Sequence, residues 1–231
     1  MKYFLSFLLA MLFHFYIFSQ NLIGAWETGD KETSVLTFTK AYYVFTTYNS
    51  ESGAFISTQG GSWSLEGLQL KQEIEFNSKA AEKVGTTAQW EIKIFEDSLY
   101  IPALNKGFKR IDNGGPGALA GSWLMSGRTV KGEFTSREGN NPRKTMKILS
   151  GTRFQWIAYN TEKKEFIATG GRTYTTENGE YTEEIIFFSK DSSRVGMNLK
   201  FKYELTPEND WKHLGFSTQG DPIDETWSIR P

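Results

Sequence analysis

The residues able to do chemistry in this chain are few and scattered. Beyond residue 20 there is one histidine, His213, set in Trp211-Lys212-His213-Leu214-Gly215, and no cysteine anywhere. A lone histidine cannot build a conventional structural or hydrolytic metal site, which recruits several His or Cys ligands. The one metal role left to it is the single axial ligand of a haem, and a surface or loop position is the default expectation. Asp221, Asp224 and Glu225 gather near the C-terminus. Oxygen-rich clusters can hold calcium, but this spacing lacks the EF-hand pattern, and Pro222 beside Asp221 points to a turn. Glu183 and Glu225 are residue types that glycosidases use in pairs, though nothing in the sequence sets their separation. The stretch from Gly127 to Lys147 carries Arg128, Lys131, Arg137, Arg143, Lys144 and Lys147 against Glu133 and Glu138. Such a run can steer an anion, and more simply reads as a solvated loop.

Glu183 is the most pointed of these candidates. Tyr181, Glu183, Ile185 and Phe187 share one parity, and period-two alternation puts one face of a strand on a core. A carboxylate on that face is costly unless paired or hydrogen-bonded. A one-residue slip would turn Glu184 inward instead. By the same parity Trp156, Tyr174, Tyr181 and Tyr203 surround Glu183, with Trp211 and His213 at the rim, and these seven residues are the expected lining of a cavity. No catalytic constellation is legible, and no cofactor or metal is expected.

The elements that must position these residues are strands. Leu36-Thr37-Phe38-Thr39 and Tyr42 to Tyr48 are rich in β-branched and aromatic residues. Trp90-Glu91-Ile92-Lys93-Ile94 and Leu199 to Leu205 alternate apolar with charged, and turn signals such as Asn178-Gly179 recur between runs. Many short strands with even punctuation suggest a barrel or a sandwich.

The chain also repeats itself. Leu22-Ile23-Gly24-Ala25-Trp26 returns as Leu119-Ala120-Gly121-Ser122-Trp123, and Ile74 to Lys79 returns as Ile185 to Lys190, an offset of 111 (185 − 74). The same offset pairs Tyr48-Asn49 with Tyr159-Asn160 and Val84-Gly85 with Val195-Gly196. A duplicated β-domain follows, with copy one at 21–111, a Gly/Pro linker at 112–117 and copy two at 118–231. Copy two is expected to fold without copy one, although the repeat itself leaves open whether the two share a core. Residues 1–20 hold Lys2, an apolar run from Tyr3 to Phe18 and a small residue, Ser19, the pattern of a secretory signal peptide. That run falls short of the roughly 20 apolar residues of a membrane span, so a secreted or periplasmic product without stable membrane insertion is expected. The net charge of −1 argues against nucleic acid as a partner, which needs a concentrated positive surface.

Gly24-Ala25-Trp26 and Gly121-Ser122-Trp123 resemble the opening motif of lipocalins and related calycin barrels. The resemblance implies an all-β chain of two small antiparallel barrels, in which the tryptophan plugs one barrel end and an arginine of the last strand crosses it. Trp26 with Arg110, and Trp123 with Arg230, would fill those roles. Copy two is also similar to an uncharacterised family of secreted lipocalin-like bacterial proteins, through Thr169 to Tyr174, Tyr181 to Glu184 and Gly220 to Trp227. The implied function is to hold a small, largely apolar molecule inside the second barrel. The alternatives are an isomerase or hydrolase using a cavity carboxylate, and an accessory module that binds carbohydrate or protein.

Overall fold

The computed structural model describes residues 22–217 and 219–230; the signal-like segment lies outside the described residues. The described chain is all-β, and its strands form two barrel-like antiparallel sheets. The first contains β1 (Gly24–Glu27), β2 (Glu32–Phe38), β3 (Tyr42–Asn49), β4 (Phe55–Glu66) and β5 (Gln69–Asn77), then β6 (Thr87–Glu91), β7 (Lys93–Phe95), β8 (Ser98–Ile101) and β9 (Lys106–Asp112). The second contains β10 (Gly121–Val130), β11 (Glu133–Ser136), β12 (Arg143–Leu149), β13 (Arg153–Asn160) and β14 (Glu165–Glu177), then β15 (Glu180–Phe188), β16 (Asn198–Leu205), β17 (Trp211–Phe216) and β18 (Pro222–Ile229).

Barrel two closes because β10 pairs with β12 on one side and β18 on the other. The ring therefore has eight strands, and β11 folds back on the far end of β10 as a hairpin outside it. The basic stretch after Gly127 is thus partly a hairpin, and every residue of β11 is exposed. Barrel one runs β6-β5-β4-β3-β2-β1-β9-β8-β7. Its two edge strands are successive in the chain, separated by Ile92, so one kinked strand spans the remaining gap.

Closure needs sharply coiled strands, and glycine supplies them. The pairings of β4 with β5 and of β14 with β15 shift register beside Gly60-Gly61 and Gly171. A Cβ on Gly61 would lie 1.8 Å from the Glu73 carbonyl oxygen, and one on Gly171 2.4 Å from that of Phe154.

The two barrels share a core. Val44 and Phe76 of barrel one pack with Met146, Ile148, Ile157 and Tyr159 of barrel two in one buried cluster. Tyr48 stacks on Phe187 and Phe55 on Phe166 across the same seam. The Gln155 amide carbonyl accepts from the Thr46 hydroxyl at 2.7 Å, while its NH2 donates to Thr58 at 3.1 Å and to Thr169 at 2.9 Å. Arg230 grips Glu75 through two nitrogens at 2.6 and 2.8 Å, and Tyr159 donates to the same carboxylate at 2.6 Å.

The Gly/Pro connection is anchored rather than free at its first residue. Asp112 is buried, and its carboxylate accepts from the Ser150 hydroxyl, the Gly151 amide and both the amide and hydroxyl of Thr152, at 2.6–3.0 Å.

Candidate functional site

The Gly-x-Trp motifs set the floor of each barrel. Gly24 has φ +120°, and a Cβ there would lie 2.0 Å from the Asp112 carbonyl oxygen, so only glycine lets the chain enter β1. The indole that follows is buried in both copies. Trp26 Nε1 donates to Leu22 and Trp123 Nε1 to Leu119, each at 2.9 Å. The arginines differ. Arg110 sits opposite Trp26 in register and its guanidinium lies 3.9 Å above the indole. Opposite Trp123 stands Ile229. Arg230 is one residue further on, so its side chain leaves by the other face and lies 3.9 Å over Tyr42 of barrel one. The role implied for Arg230 by resemblance is corrected accordingly: it fastens the seam.

In barrel two the position beneath the plug belongs to Lys147. It pairs with Trp123 in register, as Leu36 pairs with Trp26 in barrel one. Lys147 is not part of a solvated loop: it sits inside the barrel, and its ammonium lies 2.7 Å from Glu183 Oε1 with both side chains almost wholly buried. Glu183 therefore faces inward, as its parity predicts, and Glu184 faces solvent. The rings of Tyr181, Trp211 and Trp227 stand 4.8–5.1 Å from the ammonium, with Phe201 at 5.6 Å. Aromatic faces over a desolvated cation add attraction that partly replaces lost water.

His213 is a correction to the sequence reading. It lies on β17, 2% exposed, with its ring 4.1 Å from that of Phe201. Tyr181, Trp211 and Trp227 also pack around it, which leaves no open face for a macrocycle. Glu225 is likewise on a strand, β18, and not in a turn. Its Oε2 lies 3.3 Å from His213 Nδ1 and accepts from Trp227 Nε1 at 3.1 Å. Burial and the Lys147 charge hold His213 below the ordinary imidazole value despite the two carboxylates. Burial pushes Glu225 upward, but the bonds from His213 and Trp227 and the Lys147 charge prevail and hold it below the usual carboxylate value. At neutral pH the group therefore holds Glu225 as an anion beside a neutral imidazole. The Nδ1–H donates to Glu225, and Nε2 keeps its lone pair.

Three buried polar atoms here have no hydrogen-bond partner: Tyr181 Oη, Trp211 Nε1 and His213 Nε2. The Tyr181 hydroxyl faces Glu183 without forming a bond of good geometry, and burial beside that carboxylate pushes its pKa far up. The three rings touch one another, with centroids 5.1–5.8 Å apart. Buried unpaired donors and acceptors are rare and costly, so their convergence marks a place built for something polar.

Register identifies what barrel one has at the same places. Leu36, Leu70, Gln72, Leu99, Ile101 and Phe108 stand where barrel two has Lys147, Tyr181, Glu183, Trp211, His213 and Trp227. At these positions barrel one holds four aliphatic side chains, a phenylalanine and the buried Gln72, whose amide also has no hydrogen-bond partner, whereas barrel two holds an ion pair and aromatic nitrogens.

The remaining expected lining residues are placed as follows. Tyr174 is buried in the same cluster, but its hydroxyl is committed to the Ser150 carbonyl at 2.6 Å, where it fastens the barrel end. Trp156 and Tyr203 are half-buried and pack on the cluster's edge. Lys147 and Glu225 complete the group and were not among the expected lining. The repeat carries a signal for Lys147, because the offset of 111 sets it on Leu36 within an apolar run.

A cavity of about 550 Å³ is elsewhere: it opens at the seam beside Phe38, Thr39, Ser122, Leu149 and Ile229. The buried charges and unpartnered atoms lie inside barrel two, and the chemistry of the site is there.

No curated protein matches the chain. Residues 118–229, which are barrel two, match the model of a family described as a domain of unknown function, DUF4488.

Proposed function

We propose that this is an exported binding protein of lipocalin-like type whose second barrel takes up one small molecule. A polar head would lie among Lys147, Glu183 and His213, and a flat apolar body against Tyr181, Phe201 and Trp211. The observation that carries this reading is the trio of touching rings that each retain an unpartnered polar atom beside a buried ion pair. The uncharged side chains at the six matching positions of barrel one support it, since the barrel closes there without an ion pair or an imidazole. Both buried Gly-x-Trp plugs, and Arg110 over Trp26, support the lipocalin-like reading. Because Tyr181 and Trp211 are fully buried, uptake requires these rings to swing aside.

The test uses the substitutions that barrel one already contains. Lys147→Leu with Glu183→Gln reproduces Leu36 and Gln72, and a folded double variant is expected. Native mass spectrometry of protein purified from its own host should show a non-covalent adduct on the wild type and none on the double variant. Bare wild-type protein, or an adduct that survives the double substitution, overturns the reading.

The His213–Glu225 contact favours one second reading, an enzyme that moves a proton. His213 Nε2 would accept a proton from the bound molecule while Glu225 stabilises the resulting imidazolium. His213→Gln that spares adduct binding but leaves it unconverted would favour the enzyme; an adduct identical on both proteins favours the carrier.

A further inference from the structure

A second pocket lies outside barrel two, on the face turned toward barrel one. It encloses about 360 Å³, within the size range of small-molecule sites. Leu124, Ser228 and Ile229 of barrel two and Tyr42 of barrel one form its floor. The loop that follows β11 contributes Arg137 and Glu138 to its rim, the start of β12 contributes Arg143 and Lys144, and Arg230 closes one side.

The charges here do not balance. Arg230 is neutralised by its two bonds to Glu75. The Lys144 ammonium donates to the Gly139 carbonyl at 2.7 Å, which carries no counter-charge. Among the described residues neither Arg137 nor Arg143 has an ion pair, and Glu138 is the one acid in the lining. Arg137 is half-buried, and its pKa is driven down by desolvation and then by Arg143 and Arg128, against a smaller pull from Glu225. That of Lys144 is driven down by desolvation and then by Arg230, against Glu75. Arg137 and Lys144 are thus partly desolvated next to other cations, with Arg143 exposed beside them and only Glu138 as an acid in the lining. An anion in the pocket would relieve their mutual repulsion.

We propose that this pocket binds a small oxyanion-bearing molecule, its anionic head among Arg137, Arg143 and Lys144 and its apolar body on Leu124, Ile229 and Tyr42. Guanidinium groups suit this task because their donors match carboxylate, sulfate and phosphate oxygens in pairs. The site is separate from the barrel-two interior, so its occupancy does not depend on the carrier reading.

Calorimetric titration with sulfate and with benzoate, against neutral benzamide, tests the proposal on the whole chain. Saturable binding of at least one anion is expected. It should fall at least tenfold in Arg137→Gln/Arg143→Gln and weaken as chloride rises, with benzamide unchanged between the two proteins. Sulfate binding alone would identify an inorganic oxyanion as the occupant, and tighter benzoate binding an organic acid. In the absence of anion the double variant should melt no lower than the wild type, because it removes repulsion, whereas arginines with a purely structural role would lower the melting temperature when replaced. Absence of saturable binding for both anions, or equal affinity in wild type and variant, overturns the proposal.

Discussion

A buried Lys147–Glu183 pair is a poor source of stability, because desolvating two ions offsets most of their attraction. Its weakness shows when one partner is removed. Glu183→Gln leaves the buried Lys147 ammonium without its ion-pair partner, and a loss of about 3–5 kcal/mol is expected in urea unfolding. Lys147→Leu/Glu183→Gln removes both charges and should recover most of that loss. A single variant as stable as the wild type would mean that water reaches the pair. His213 adds a pH dependence. Its folded-state pKa is below the ordinary 6.5, so the unfolded chain binds a proton more readily than the folded one. The contribution is fully present above pH 6.5 and is lost as pH falls through the depressed folded value. The urea midpoint should therefore decline from pH 7.5 toward 5, and the decline should be shallower in His213→Gln.

At the level of strands, barrel closure depends on where β4 and β14 bend. Gly61 and Gly171 sit where a neighbouring carbonyl of the backbone leaves no space for a methyl group. Backbone cannot yield as a flexible side chain can, so Gly171→Ala should cost about 1–3 kcal/mol, the range of an overpacked core. Gly139, which has open space around its Cβ direction, is the control: Gly139→Ala should stay within about 0.5 kcal/mol of the wild type. Equal melting temperatures for the two variants would show that the bends are not limiting. The kink at Ile92 has a different consequence. It divides the strand equivalent to β16 into β6 and β7, so barrel one closes less completely than barrel two. The copy with the continuous strand is also the one that carries the buried charges.

Across the whole molecule, the seam makes the two barrels one cooperative unit. Met146, Ile148, Ile157 and Tyr159 are fully buried only because barrel one covers them. Residues 118–231 expressed alone would expose that face, and exposed apolar patches of this kind drive association. The fragment is expected to melt below the full chain and to regain stability when mixed with residues 22–117; an unchanged melting temperature would refute a shared core. Asp112 ties the same halves together through the turn at 150–152. Burial pushes its carboxyl upward, but donation from Thr152, Gly114, Ser150 and Gly151 prevails and holds its pKa below 3.8. Its contribution is present above that ordinary value and lost as pH falls through the lower folded one. Asp112→Asn should therefore flatten the acid limb of the stability curve.

The duplication, the β class and the inward face of Glu183 were all legible in the residue order. Each is a local property: an offset held over many positions, or an alternation of period two, survives without knowing which strands meet. What faces Glu183 across the barrel is not local. Lys147 lies on β12 and Glu183 on β15, with β13 and β14 between them in the sheet, and only closure brings them within 2.7 Å. The same holds for His213, a lone histidine that reads as surface or loop, and for Glu225, which reads as part of a turn beside Pro222, until β17 and β18 fold them inward. Arg230 was misassigned by one residue, and in a strand one residue is the difference between two faces. The seam was hidden for a related reason. Phe154, Trp156 and Ala158 share one parity and Ile157 and Tyr159 the other, and alternation says which residues are buried together but not which partner buries them. Tertiary structure decided that by placing a second copy of the same barrel against it.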